Sequence, residues 1–204
     1  MRKEIMAQKF DFSNVEGISQ KQLLEHYKLY QGYVNKINEI WSILNQKIDF
    51  ENPNSTYSSI RSLKLGETYA LDGVKLHQLY FENLGGNEGN CSGKILKLIQ
   101  RDYFSCEYFY ERLRDIGLSM RGWAVLAIDP IDDRLHIYGL DAHDVGPVWN
   151  AYPLLVLDVY EHAYFLDFAT NRKAYINTFI RNINWRIVNR RLNEYFAFKN
   201  NLNE

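Results

Sequence analysis

YPLLVLDVYEHAYFLDF, residues 152–168, starts as a chain burying its side chains and then sets Asp158, Glu161 and His162 into the apolar run. Each of these groups loses free energy on leaving water, so a buried carboxylate or imidazole persists only with a partner. A metal ion is one of the strongest partners available. YPLLVLDV (152–159) reads as a strand, apolar enough to be central in a sheet. The residues after it form either a site or the start of a polar loop. A spacing of four puts Asp158 and His162 on one face if the chain is helical there. If Asp158 ends a strand, a short turn still brings the pair together.

Working towards the N-terminus, WAVLAID (123–129) and RLHIYGLD (134–141) are strand-like, and PIDD between them carries the Pro and Asp of a hairpin turn. SGKILKLIQRDY and SCEYFYERLRDIG, upstream of these, read as helices, as do the segments 171–182 and 185–198 downstream. The glycine-rich segment GGNEGNCSG (85–93) is the best candidate for a boundary. Before it, a helix over about 18–46 places Leu23, Tyr27, Tyr30, Val34, Ile37, Trp41 and Leu44 at helical spacing, with Ser19 three residues ahead of Gln22 as its start. DFENPNSTYSS is a loop by composition, and GVKLHQLYFENL forms a second helix from about 73 to 84, stopped by Gly85-Gly86. The fold class is α+β: an N-terminal antiparallel helical hairpin domain, 1–86, and a C-terminal domain, 87–204, around a small three-stranded antiparallel sheet.

Composition permits an enzyme without pointing to one. A chain of 204 residues is long enough for a sizeable core, and a net charge of −1 with a pI near 6.5 gives no basic footprint for nucleic acid. No apolar run is long enough to span a bilayer, and the N-terminus, MRKEIMAQKFDF, has no signal-like apolar segment. Cys91 and Cys106 are the only cysteines; without metal spacing they read as two inert thiols in a reducing cytoplasm.

Five histidines are available: His26, His77, His136, His143 and His162. Three imidazoles and a carboxylate suit iron or manganese, which accept both nitrogen and oxygen ligands. Spacing alone does not assemble four such residues, and taken singly each histidine is more often structural.

The string DVYEHAYFLDF, with NRKAYINTFIRNINW (171–185) after it, resembles the C-terminal signature of the iron/manganese superoxide dismutases, D-x-W-E-H-A-Y-Y and then N-x-R-x-x-Y…N-W. GVKLHQLYFENL is similar to that family's second-helix ligand segment, especially in archaeal-type members. RGWAVLAID matches its G-W-A-x-L strand, and QGYVNKINEI the end of its first helix. The resemblance runs from about residue 18 to 190.

It implies one iron or manganese ion per subunit, with His77, Asp158 and His162 on three of four ligand positions. It also implies that Glu161 reaches a ligand histidine of a second subunit, in a homodimer or tetramer built through the metal-site interface. Tyr33 falls on the active-site tyrosine and Trp123 on the tryptophan that walls the pocket. His143 falls where a glutamine or histidine bonds metal-bound solvent, Gly73 occupying the alternative site for that group. Tyr164 falls on a tyrosine that bonds the family's gateway histidine across the dimer.

The fourth ligand is open between two residues. The family's ligand histidine lies eight before the active-site tyrosine, which gives Glu25; His26 lies seven before Tyr33. At about 100° per residue, positions seven apart differ by about 20° around a helix and positions eight apart by about 80°. A plain helix therefore favours His26. Glu25 needs an extra residue accommodated as a π-bulge. Other departures are Tyr30 at the gateway position if His26 is the ligand, and Phe81 and Tyr160 in place of two pocket tryptophans. KFDFSNVEG replaces the usual N-terminal segment.

Taken together, the resemblance implies an antioxidant oxidoreductase of the cytoplasm that disproportionates superoxide to dioxygen and hydrogen peroxide. The alternative is a dismutase-like metal-binding or structural protein that has lost the activity. Without the resemblance, Tyr33, Tyr164 and Trp123 read as core aromatics, Glu161 as a solvated charge, and Arg186, Arg190 and Arg191 as a solvated helix face.

Overall fold

The computed structural model describes residues 2–86 and 91–201. Residues 87–90 of the expected boundary segment 85–93 lie outside the described residues, and so does the 86/87 boundary drawn within it.

Helix α1 spans Gln20–Leu44, with Ser19 as N-cap accepting from the amide of Gln22 at 3.1 Å. Its buried row is Leu23, His26, Tyr30, Val34, Ile37 and Ile40, so a histidine sits in the middle of the apolar stripe. Helix α2 spans Ser59–Glu82 and begins well before the expected position near 73. The buried face of its first half is carried by Glu67 and Ala70 rather than by large apolar side chains, so the periodic signal there is weak. The two helices are antiparallel: Trp41 Nε1 donates to Glu67, the ring of Tyr33 packs on Gly73, and His26 lies against His77 and Tyr80. The N-terminal arm is laced onto α1, where Asn38 pairs with both backbone groups of Ile5 and the hydroxyl of Tyr30 accepts from the amide of Gln8.

Helices α3 (Lys94–Tyr103) and α4 (Cys106–Ser119) lead into strands β1 (Trp123–Asp129), β2 (Arg134–Leu140) and β3 (Tyr152–Asp158). The sheet is antiparallel in the order β2-β1-β3. The strand expected at the centre, β3, is therefore an edge; β1 is central, and all seven of its residues are buried. The last five residues of β3 are buried as well, because α2 and α7 pack against it. A 3₁₀ turn at Glu161–Ala163, then α5 (Phe165–Phe168), α6 (Arg172–Arg181) and α7 (Trp185–Asn201), complete the chain.

Two further expectations are corrected. Cys91 and Cys106 are joined in a disulfide across α3 rather than standing as free thiols. Their separation of 15 residues matches no metal motif, but the helix between them brings its two flanks together. Arg191 is buried, not solvated; it donates to Asn83 Oδ1, to the carbonyl oxygens of Leu154 and Leu79, and to Glu82. Among the described residues no helix is long and apolar enough to cross a membrane.

Candidate metal centre

Asp158 is the last residue of β3, paired in register with Trp123 on β1, and both are fully buried. The strand ends, Tyr160 N closes back on Asp158 Oδ1 at 2.9 Å, and the 3₁₀ turn lifts His162 over the carboxylate. This is the strand-end alternative rather than the helical one. His26 comes from the buried row of α1 and His77 from that of α2. The four side chains form one group whose ligand-capable atoms lie within 4.8 Å of one another.

Three imidazole Nε2 atoms converge on Asp158 Oδ2: His26 at 3.1 Å, His162 at 3.2 Å and His77 at 3.7 Å. His77 Nδ1 donates to the carbonyl oxygen of Gly73 at 2.6 Å, which fixes its proton there and leaves Nε2 a bare lone pair. Nε2 is buried and has no hydrogen-bond partner; the same holds for His26 Nδ1. Burial holds both imidazoles below their ordinary pKa, His77 well below, so neither carries a charge at neutral pH. Burial alone would raise the carboxyl of Asp158, but His162 and His26, through their hydrogen bonds and the positive charge these rings carry when protonated, hold it far below the usual range. A buried carboxylate facing the bare lone pair of the neutral His77 ring, with the Nε2 atoms of two further imidazoles beside it, is a donor set for a cation. The residues fit a first-row metal ion.

Glu25 lies outside this group. Its side chain is about half exposed and pairs with Lys28 Nζ at 2.7 Å. Helix α1 runs unbroken as an α-helix from Gln20 to Leu44, so His26 and Tyr33 share a face and no π-bulge turns Glu25 inward.

Around the four lies a hydrogen-bonded wall. Trp123 Nε1 donates to His143 Nδ1 at 3.0 Å, and His143 Nε2 lies 2.8 Å from the hydroxyl of Tyr33. Burial pushes the pKa of His143 down to about 4, so its ring is neutral. With Nδ1 accepting from Trp123, the single ring proton is on Nε2 and donates to the Tyr33 oxygen, leaving the Tyr33 hydroxyl proton free to donate elsewhere. Burial and the neighbouring Tyr69 raise the pKa of Tyr33. A Cβ on Gly73 would stand 3.0 Å from the Tyr33 ring, so the absence of a side chain there gives the ring its seat.

Tyr164 is not part of this wall. It stacks on Tyr175 at 5.0 Å and its hydroxyl accepts from Arg172 Nε at 3.1 Å. Tyr175 in turn donates to the carbonyl oxygen of Asp158 at 2.8 Å, so Tyr164 touches the centre at second hand. Tyr30, at the gateway position, is occupied by Gln8 N and Gln78 Nε2. His136 pairs with Asp132 on the far hairpin. Glu161 is exposed, at the start of the 3₁₀ turn.

Two nearby residues carry little signal in the sequence. Tyr69, on α2, packs its ring 4.6 Å from His143, and the fully buried Tyr175 supports Asp158. No spacing or motif in the sequence points to either.

The model of the iron/manganese superoxide dismutase C-terminal domain matches residues 91–191. A protein of Aquifex aeolicus named superoxide dismutase [Fe] is 41% identical over 182 residues, covering 87% of this chain and 85% of its own. One of Pyrobaculum aerophilum with the same name is 32% identical, covering 83% of this chain and 81% of its own. The superoxide dismutase [Mn] of Haloarcula marismortui is 30% identical, covering 86% of each chain.

Proposed function

The chain belongs to the iron/manganese superoxide dismutases, and from that premise we propose how its own residues carry the reaction. It is an oxidoreductase that disproportionates superoxide to dioxygen and hydrogen peroxide with one iron or manganese ion. The observation that carries the reading of the site is the bare Nε2 of His77 beside the carboxylate of Asp158.

In our reading His26, His77, His162 and Asp158 hold the ion. Bound there, it supplies the one-electron exchange that takes an electron from one superoxide and gives one to the next. Peroxide also needs two protons, and the wall provides the groups that handle them. His143 holds its proton on Nε2 towards Tyr33, and Trp123 fixes that tautomer from the other side. The Tyr33 hydroxyl, half-buried on α1, is the most accessible donor of these three, since Trp123 and His143 are buried. A neutral His143 and a protonated Tyr33 across the neutral range keep this chain of donors intact.

The subunit pairs with a second copy through Glu161. That side chain precedes His162 on the same turn, and the Phe165 and Leu166 beyond it are 47% and 55% exposed. Phe165→Asp, examined by sedimentation velocity, shifts the protein to monomer if this holds. The cytoplasmic expectation rests on free thiols, and the Cys91–Cys106 disulfide removes that ground, since such bonds are rare in the cytoplasm outside hyperthermophiles. Alkylation of thiols at cell lysis decides the point.

The activity test is superoxide decay after pulse radiolysis. Metal-loaded protein accelerates it catalytically and metal-free protein does not; equal rates sink the proposal.

A further inference from the structure

Gln22 lies one turn before His26 on α1 and is 1% exposed. Its amide is bonded at both ends to the segment that carries His162. Nε2 donates to the His162 carbonyl oxygen at 2.7 Å, and Oε1 accepts from the amide of Leu166 at 3.0 Å. Glutamine is mostly a surface residue, and a buried amide left without partners costs about 1–3 kcal/mol. These two bonds are what keeps it inside.

His162 needs such a hold. Its own element is a three-residue 3₁₀ turn with no side-chain cap, and its ring is 24% exposed where those of His26 and His77 are fully buried. Strand and helix fix the other three side chains of the group. The ring of His162 hangs on a short turn whose backbone is tied to α1 by Gln22. One helix thus delivers the imidazole of His26 and, four residues earlier, the clamp on the backbone of His162.

A second tie joins the same segment to α1: Asp167 accepts from Ser19 N at 2.6 Å and from Ser19 Oγ at 2.7 Å. That tie is exposed, lies five residues past His162, and touches no backbone group of a ligand. It anchors the segment without fixing the ring.

We propose that Gln22 is a positioning residue that holds the His26 and His162 rings in register and so sets how firmly the ion is retained. The inference rests on reading the four side chains as the metal centre. Metal–ligand distances tolerate about 0.2 Å, and partners one step behind the ligands are typically worth roughly 10- to 100-fold in affinity.

The test uses the full chain loaded with manganese, as wild type, Gln22→Met, Gln22→Glu and Asp167→Ala. Two quantities are read: the rate of metal transfer to a chelator, and the visible absorption of the oxidised form. Gln22→Glu keeps the size and the acceptor for Leu166 but loses the donor to His162. Both Gln22 variants release metal about tenfold or more faster than wild type, with a shifted absorption band. Asp167→Ala releases at the wild-type rate with an unshifted band. Wild-type release and spectrum in the Gln22 variants overturn the proposal. So does equally fast release from Asp167→Ala, which would make any anchoring of the segment sufficient. A wild type that takes up no metal refutes instead the reading of the four side chains.

Discussion

His77 Nε2 lies 3.7 Å from Asp158 Oδ2 with no proton between them, because the ring proton of His77 is held on Nδ1 by the carbonyl oxygen of Gly73. Two lone pairs thus face each other in a place fully closed to water. Folding alone gains nothing from this contact; a cation between the atoms turns it into attraction.

The first consequence separates neighbours on α1. His26→Ala removes a buried nitrogen from the group of four, whereas Glu25→Ala removes an exposed partner of Lys28. We expect His26→Ala to lose stoichiometric metal and Glu25→Ala to keep it, with a stability change within about 0.5 kcal/mol. Elemental analysis after dialysis, with denaturation midpoints, checks both.

Acid should weaken the metal-free protein. Burial holds His26 and His77 below the ordinary histidine value of about 6.5, so below that pH the unfolded chain binds protons that the folded one refuses. Their contribution is present above about pH 6.5 and is lost as the pH falls. Asp158, also held low by its neighbours, adds a loss of the same sign further into acid. Urea midpoints measured from about pH 8 down to about 4 should fall steadily. A midpoint that rises on acidification contradicts the buried neutral imidazoles.

Gly73→Ala tests the seat of Tyr33. In an exposed helix interior the change would stabilise by about 1 kcal/mol. Here the added methyl meets the Tyr33 ring at 3.0 Å, and the ring must give by a few tenths of an ångström, which strains its bond with His143. The expected result is no gain in thermal midpoint and a several-fold loss of turnover at unchanged metal content.

The disulfide joins residues 15 apart around α3. In the chain-entropy view such a loop is worth about 3 kcal/mol. Reduction should therefore lower the melting temperature by roughly 6–12 °C for a chain of this size. The native protein should show no free thiol on titration.

The strands are legible because their signals are local: WAVLAID and RLHIYGL alternate or run apolar between clear turn residues, and their observed ends fall within a residue of those read. Which strand is central is not legible, since β3 owes its burial to α2 and α7, which pack on it from distant sequence. Arg191 misleads for the same reason: its partners Leu79, Glu82, Asn83 and Leu154 lie far away in the chain. The first half of α2 is hidden because it buries a glutamate and an alanine. Within the centre, the helical angle between His26 and Tyr33 can be worked out on paper, and the four side chains do converge. Gln22 cannot be read as a clamp, because a glutamine one turn before a histidine looks like any surface residue until the segment it holds is in place.

In our reading, four converging side chains make this chain a metal-dependent superoxide dismutase. The most direct measurement is turnover per bound metal ion, for iron-loaded and manganese-loaded wild type beside His77→Ala. Catalytic turnover in at least one metal form of the wild type, and none above free metal in His77→Ala, is the predicted result. Stoichiometric metal without turnover in both wild-type forms would contradict the claim.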